Sequence, residues 1–253
     1  MINVLISGAL GKMGKNVYSA LESSEKLCAC CGVDVVDNFS NVNFPIYDNF
    51  NKVDKKVDVI IDFSSPLALD KILDFCLANN CPAILCATGY KKEDIEKINE
   101  ASKKVALFRS ANMSLGVNVL LDVITQTAKA LYGFDVEIIE KHHNNKVDAP
   151  SGTALMFADA VKKADDSKFY VYGREGIVGK RNEKEIGIHA IRGGNIVGEH
   201  QVIFAGNDET VTITHQATDR KVFALGAVRA AEFIYGKTSG LYNMADVLAE
   251  IKC

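Results

Sequence analysis

Gly8, Gly11 and Gly14 restrict the fold of this chain more than any other residues. A short apolar run, 2–7, precedes them, and the helix-forming stretch Asn16-Val17-Tyr18-Ser19-Ala20-Leu21-Glu22 follows. Strand, glycine turn and helix in that order open a βαβ unit. The glycines allow a tight turn, close approach of a pyrophosphate to the backbone, and close packing of helix on sheet. The helix N-terminus adds unpaired N–H groups that favour phosphate charge. This is the context that a dinucleotide-binding fingerprint requires, and it makes Gly8, Ala9, Leu10, Gly11, Lys12 and Met13 candidates for cofactor binding. The spacing G-x-x-G-x-x-G is one residue longer in its first gap than the commonest Rossmann version. Glycine turns after strands are common, so the turn does not settle the matter alone.

A second strand, 27–33, ends in Asp34, which stands 20 residues after Gly14. A carboxylate there is placed to accept hydrogen bonds from the adenosine ribose hydroxyls. Val35, Val36 and Asp37 follow, with no adjacent arginine or lysine, so a 2′-phosphate would meet carboxylates. The expectation is NADH, with NADPH tolerated to the extent that Lys12 softens the repulsion. Strand and helix then keep alternating: an apolar strand at 57–64, a helix from Pro66 to about Ala78, a strand from Ala83, a charged helix at 91–103, and a strand at 105–108. Repeated βα units imply a mostly parallel sheet whose ligands lie beyond the C-terminal ends of its strands.

A different kind of stretch occupies 140–154: Glu140-Lys141-His142-His143-Asn144-Asn145-Lys146-Val147-Asp148-Ala149-Pro150-Ser151-Gly152-Thr153-Ala154. Two histidines and a lysine fall within five residues, and a helix with apolar periodicity begins near Ser151. A helix start attracts carboxylate or phosphate, and Gly152 has no Cβ to hold an anion away from the backbone. Together these residues suit a compact, strongly anionic substrate with proton donors at hand. Plainer roles are open for each of them. Ser151 is also an ordinary N-cap, worth about 1 kcal/mol, and neighbours in a regular strand point to opposite faces, so only one of the two histidines would then face a site.

The pattern E-x-H-H-x-x-K-x-D-x-P-S-G-T-A closely resembles the signature segment of the dihydrodipicolinate reductase family. The resemblance implies an α/β fold: a Rossmann-type dinucleotide-binding domain, 1–113 and 220–253, with an inserted α+β substrate-binding and oligomerisation domain, 114–219. By the same resemblance His142 is the acid/base candidate, Lys146 the proton donor, and His143, Ser151, Gly152 and Thr153 bind substrate. The loops Cys86-Ala87-Thr88 and Ser110-Ala111-Asn112-Met113 would hold the cofactor near its nicotinamide end. Cys86 replaces a family glycine, and Asn144-Asn145 stands where relatives often carry basic residues. The implied substrate is a cyclic imine bearing two carboxylates, and the implied assembly is a homotetramer.

The remaining features set limits. Acidic and basic residues nearly balance, for a net charge of −3 over 253 residues, which is no nucleic-acid footprint. No apolar stretch approaches the roughly 20 residues needed to span a membrane, and the opening residues read as a buried strand rather than a signal peptide. A cytoplasmic protein is expected, with no membrane or nucleic-acid partner. The seven cysteines include Cys28-Ala29-Cys30-Cys31 but no second ligand pair, so no metal site or disulfide framework is expected. Strand runs at 185–191, 196–204 and 210–216 are joined by Gly193-Gly194-Asn195 and Gly206-Asn207-Asp208, which predict antiparallel hairpins. Arg192-Gly193-Gly194 offers contacts to an anion but is read first as part of the first hairpin, and His189, His200 and His215 are read as structural. Two other function classes share parts of this pattern: another NAD(P)-dependent dehydrogenase acting on an amino acid or semialdehyde, and a non-catalytic NADH sensor. Neither calls for His-His-x-x-Lys before Ser-Gly-Thr.

Overall fold

The computed structural model describes residues 1–35 and 42–251, and the chain divides into two units, Met1–Ser114 with Arg220–Cys253, and Leu115–Asp219. In chain order the strands are β1 (Ile2–Ser7), β2 (Leu27–Val33), β3 (Ile46–Tyr47), β4 (Val59–Asp62), β5 (Ala83–Leu85), β6 (Ala106–Arg109), β7 (Asp135–His142), β8 (Phe169–Tyr172), β9 (Glu185–Arg192), β10 (Gly198–Ala205), β11 (Thr210–Ala217) and β12 (Gly240–Tyr242). The helices are α1 (Lys12–Glu22), α2 (Leu69–Asn79), α3 (Lys92–Ser102), α4 (Leu115–Ala130), α5 (Gly152–Lys162), α6 (Lys221–Ile234) and α7 (Met244–Ile251).

The first unit is a seven-stranded parallel sheet in the order β12-β6-β5-β4-β1-β2-β3. Its central strands are apolar without alternation, as befits strands covered on both faces; every residue of β4 and β5 is buried. Leu5, Ile60, Ile72, Leu85, Ile98 and Leu107 belong to one core. The chain runs outward from β1 to β3 and then returns to β4 on the other side of β1, which creates a switch point between β1 and β4. Register aligns the strand ends: Ser7 pairs with Val33 and Asp62, Asp62 with Leu85, and Leu85 with Arg109. Consequently Asp34, Gly8, Phe63, Cys86 and Ser110 leave the sheet side by side, spaced by about 4.8 Å per strand.

The second unit is a five-stranded mixed sheet, β11-β10-β7-β9-β8. Burial alternates along β7, so Val136, Ile138, Glu140 and His142 point inward. Phe157 of α5 and Ile124 of α4 pack with Val136, Ile138, Val202 and Phe204 in one core. On the opposite face Glu137 takes hydrogen bonds from Arg174, Arg181 and His189, tying the 173–183 segment to β7.

One expectation is corrected here. Gly193-Gly194-Asn195 does not close a hairpin, because β9 and β10 are not neighbours: β7 lies between them, parallel to β9 and antiparallel to β10. The connection clasps the end of β7 instead, with Gly193 N donating to His142 O at 2.9 Å and Asn144 N to Gly194 O at 3.2 Å. β7 pairs with both strands over seven residues each, and that gain of ladder outweighs the local preference of the glycine turn. The second turn behaves as predicted, joining β10 and β11 as an antiparallel pair. The short strands β3, β8 and β12 have no clear period of their own.

Candidate active site

Main-chain geometry dominates the first unit's strand ends. Gly8 sits at φ +76°, and a Cβ there would stand 3.0 Å from Ser64 Cα and N. A Cβ on Gly14 would come within 2.2 Å of Gly8 O, so the turn and α1 pack only because both residues are glycine. Gly11 is the N-cap of α1, with no side chain to occupy its free N–H groups. Asp34 reaches back to this turn: Oδ2 accepts from Leu10 N at 2.8 Å, and Oδ1 from Val35 N at 2.7 Å. Each carboxylate oxygen keeps a lone pair for a ribose hydroxyl.

A cleft of about 1060 Å³ opens at the switch point, lined by Gly8, Leu10, Gly11 and Asp34 on one side and Ser64 and Ser65 on the other. Lys15 and Lys71 also line it. Ala9 is buried beneath the turn, Lys12 is exposed and Met13 half-buried. Val36 and Asp37, which entered the cofactor argument, lie outside the described residues. Cys86 and Ala87 are half-buried after β5 and Thr88 is exposed. In the loop after β6, Ser110 Oγ donates to Asn112 O at 2.9 Å and Asn112 Oδ1 accepts from Ser114 N at 2.8 Å. Ala111 is exposed. Met113 is buried, and its carbonyl is pressed against α6 so closely that a Cβ on Gly226 would lie 1.7 Å away. The cradle fits a dinucleotide: a left-handed glycine, a helix start without side-chain caps and a carboxylate at the next strand end.

Side chains build the second unit's site. Glu140 is fully buried and accepts four hydrogen bonds: from Arg192 Nη1 at 2.8 Å, Arg192 Nη2 at 2.7 Å, His142 Nδ1 at 2.6 Å and Ser151 N at 3.0 Å. The strand period puts Glu140 and His142 on one face, which is how a carboxylate two residues earlier reaches the ring. Burial pushes the Glu140 carboxyl up, but the hydrogen bonds from Arg192, His142 and Ser151 N prevail and hold it below the usual range. Burial likewise drives the His142 imidazole below its ordinary value, against the pull of Glu140. Neutral His142 therefore donates Nδ1–H to Glu140 and presents Nε2 as a base. A Cβ on Gly198 would stand 3.1 Å from that Nε2, so the glycine keeps the nitrogen clear.

The strand stops at His142, and His143 is half-buried beyond it in a turn closed by Lys146 N donating to His143 O at 3.2 Å. Lys146 Nζ donates to Asp148 Oδ1 at 2.8 Å, and that bond holds the Asp148 carboxyl below its usual value. Arg192 Nη2 also donates to Asp148 O at 2.8 Å, fixing the loop that ends in a cis Ala149–Pro150 peptide. Ser151 caps α5 by accepting from Ala154 N at 3.2 Å. Gly152 is exposed with nothing within 4 Å of where a Cβ would stand, so packing does not demand the glycine and space is left for a ligand. Thr153 is half-buried in the first turn. Thus His142, His143, Lys146, Ser151, Gly152 and Thr153 all lie in one unit, on β7, the loop after it and the start of α5.

Reading the chain alone missed Glu140, Arg192 and His200 as members of this network. The alternation of β7 marks Glu140 as a partner of His142; Arg192 and His200 lie 52 and 49 residues from their contacts and carry no local sign. Among the described residues, no group of three or more His, Cys, Asp or Glu side chains is gathered to hold a metal ion. No helix of the described residues is long and apolar enough to cross a membrane.

The chain matches the family model described as dihydrodipicolinate reductase, N-terminus, over residues 2–113, and the one described as dihydrodipicolinate reductase, C-terminus, over residues 116–248. It is 48% identical over 250 residues to the 4-hydroxy-tetrahydrodipicolinate reductase of Clostridium novyi (strain NT), covering 98% of each chain. It is 46% identical over 249 residues to the reductase of that name from Caldanaerobacter subterraneus subsp. tengcongensis, again covering 98% of each. Among solved structures, the dipicolinate-bound dihydrodipicolinate reductase from Paenisporosarcina sp. TG-14 superposes with a TM-score of 0.80 at 26% identity, over 96% of this chain and 97% of that one. The glycine-built dinucleotide cradle, the Glu140–His142 pair beside the Ser151 helix start and these full-length matches agree: the chain belongs to the dihydrodipicolinate reductase family, the NAD(P)H-dependent oxidoreductases that reduce 4-hydroxy-tetrahydrodipicolinate in diaminopimelate and lysine biosynthesis.

Proposed function

We propose that the two units divide the reduction of the cyclic imine dicarboxylate to tetrahydrodipicolinate between them. The Met1–Ser114 and Arg220–Cys253 unit holds the dinucleotide through residues 8–13, Asp34, 86–88 and 110–113. Bound there, reduced nicotinamide supplies the hydride. The Leu115–Asp219 unit binds the dicarboxylate and manages protons.

One substrate carboxylate rests on the N–H groups of Gly152 and Thr153 and on the hydroxyls of Ser151 and Thr153, while His143 binds the substrate from the other side of the loop. Charge-assisted hydrogen bonds of this kind contribute about 1.5–3 kcal/mol each. The 4-hydroxy substrate first loses water to give a conjugated imine, and hydride addition to that imine leaves an electron-rich carbon that must take a proton. Lys146 donates it, and His142, aligned by Glu140, serves as acid/base through Nε2. The observation that carries this reading is the buried Glu140 carboxylate, which orients His142 and Ser151 N at once. The Asp34 carboxylate favours NADH. Lys15 and Lys71 in the same cleft supply positive charge that keeps NADPH usable.

The sheet face opposite α4 and α5 is not covered by a helix of this unit and carries Ile139, Ile191 and Ile203 among its polar residues. We infer that it joins four copies into a homotetramer, working in the cytoplasm where reduced nicotinamide is supplied. Light scattering should then give about four times the 27.5 kDa of one chain. The test of the reaction is a coupled assay in which dihydrodipicolinate synthase generates the unstable substrate, with NADH and NADPH followed in parallel. Synthase-dependent oxidation, faster with NADH, is expected. No oxidation with either cofactor, from protein that still binds NADH, would overturn the assignment of residues.

A further inference from the structure

His200 is a buried histidine that the reaction scheme above does not use. It lies near the start of β10, 4% exposed, and its Nε2 stands 2.8 Å from Ser151 Oγ. Its ring is packed edge-on against His142, with centroids 5.1 Å apart, and against Phe157 at 5.9 Å. The opposite ring nitrogen, Nδ1, is buried, and no described residue lies within hydrogen-bond reach of it.

That asymmetry fixes the proton. A buried N–H without an acceptor is the more costly of the two unsatisfied states, whereas a bare ring nitrogen forfeits less. Nδ1 is therefore the unprotonated nitrogen, and Nε2 carries the hydrogen and donates it to Ser151 Oγ. Burial favours this neutral ring, driving its imidazole down to about 3. Ser151 Oγ already accepts from Ala154 N at 3.2 Å. A serine hydroxyl has two acceptor lone pairs and one proton. With both lone pairs engaged, by Ala154 N–H and His200 Nε2–H, the hydroxyl proton is left for a third partner.

We propose that His200 is a positioning residue, which fills the second acceptor site of Ser151 Oγ and so commits the Ser151 hydroxyl proton to a carboxylate of the substrate. The inference rests on the reading of Ser151 as part of the carboxylate cradle. It explains why an otherwise apolar core position holds an imidazole, and why that imidazole touches both the cap of α5 and the acid/base candidate.

The test uses the full chain with dipicolinate as a stable dicarboxylate probe, titrated in the presence of NADH, together with KM and kcat from the coupled assay. His200→Phe keeps the ring contacts and removes the donor. It should weaken dipicolinate and raise the substrate KM by about tenfold, the scale of one charge-assisted hydrogen bond. The NADH Kd and kcat should stay within about twofold. His200→Gln, whose amide N–H reaches a similar place, should recover most of the loss. In a Ser151→Ala background, His200→Phe should add nothing, because the hydroxyl it positions is gone. If His200→Phe does not fold, His200→Asn, too short to reach Ser151, takes its place with the same expected loss. Unchanged dipicolinate affinity in His200→Phe, or an equal further loss in the Ser151→Ala background, would overturn the proposal. Wild-type protein that binds NADH but not dipicolinate would remove the carboxylate cradle itself and this inference with it.

Discussion

The two units prepare their sites by opposite means. Along the first sheet the working groups are main chain: Gly8 at positive φ, the free N–H groups above Gly11, and a row of loops aligned by parallel register. Asp34, at the end of β2, is itself tied to main chain, accepting from Leu10 N and Val35 N. In the second unit the groups are side chains from β7, β9 and the start of α5, converging on one buried carboxylate. A backbone cradle is set by local turns and tolerates most side-chain change. A side-chain cluster exists only once the sheet has brought distant strands together, and each member depends on the others.

Substitutions can break or sharpen this contrast. The largest effect is expected from Lys146→Ala, which should lower kcat by about 10²- to 10⁴-fold and leave the NADH Kd within about twofold. Steady-state rates and a fluorescence titration with NADH check both halves. If cofactor binding falls along with turnover, the division of labour between the units is wrong.

Arg192→Met comes next. It strands Glu140 in the interior with only His142 and Ser151 N as partners, and breaking a buried pair in this way destabilises by about 3–5 kcal/mol. Urea unfolding measures it, and adding Glu140→Gln should restore part of the loss. The pH dependence has a definite sign. Glu140 titrates in the folded wild type below the ordinary 4.5, so its contribution is complete above that pH and is lost as the pH falls through the depressed value. Without Arg192 that loss should begin at higher pH.

An effect read as a slope against pH concerns His200, whose imidazole moves from 6.5 to about 3 on folding through burial. Between those values the unfolded chain holds the proton and the folded chain does not, so stability falls as the pH is lowered from about 6.5 towards 3. The slope is at most about 1.4 kcal/mol per pH unit. His200→Gln should flatten the curve in urea titrations run at successive pH values; an unchanged slope would assign it to other groups. The smallest effect belongs to the backbone-built site. Asp34→Ala should shift the NADH:NADPH preference towards NADPH by about tenfold, roughly 1.4 kcal/mol. A constant ratio in parallel assays would move specificity to Lys15 and Lys71.

The same contrast explains what could be read in the chain. Gly8, Gly11, Gly14 and Asp34 announce themselves by spacing, because a turn and the strand after it are local objects. The start of α5 at Gly152 with Ser151 as its cap was equally legible. Arg192 was not: its partner is 52 residues away, and the glycine turn after it suggests a hairpin that the sheet does not make. Which strand takes the place beside β7 is decided by the summed pairing of the whole sheet, not by the turn. His200 looks like a structural histidine, and its hydrogen bond to Ser151 appears only when β10 lies beside β7.

The place of β7 has a consequence for how this enzyme loses activity. Among its five strands it is the one with partners on both sides that also bears Glu140 and His142, while the cap of α5 and Arg192 are bonded to it directly. Local opening begins at frayed edges and loop tips and reaches doubly paired central strands last. The amides of Val136 to Lys141 are therefore the ones to exchange with solvent most slowly, and the histidine keeps its alignment through fluctuations that detach β8 or β11. Heat should inactivate the substrate site only when this sheet comes apart as a whole.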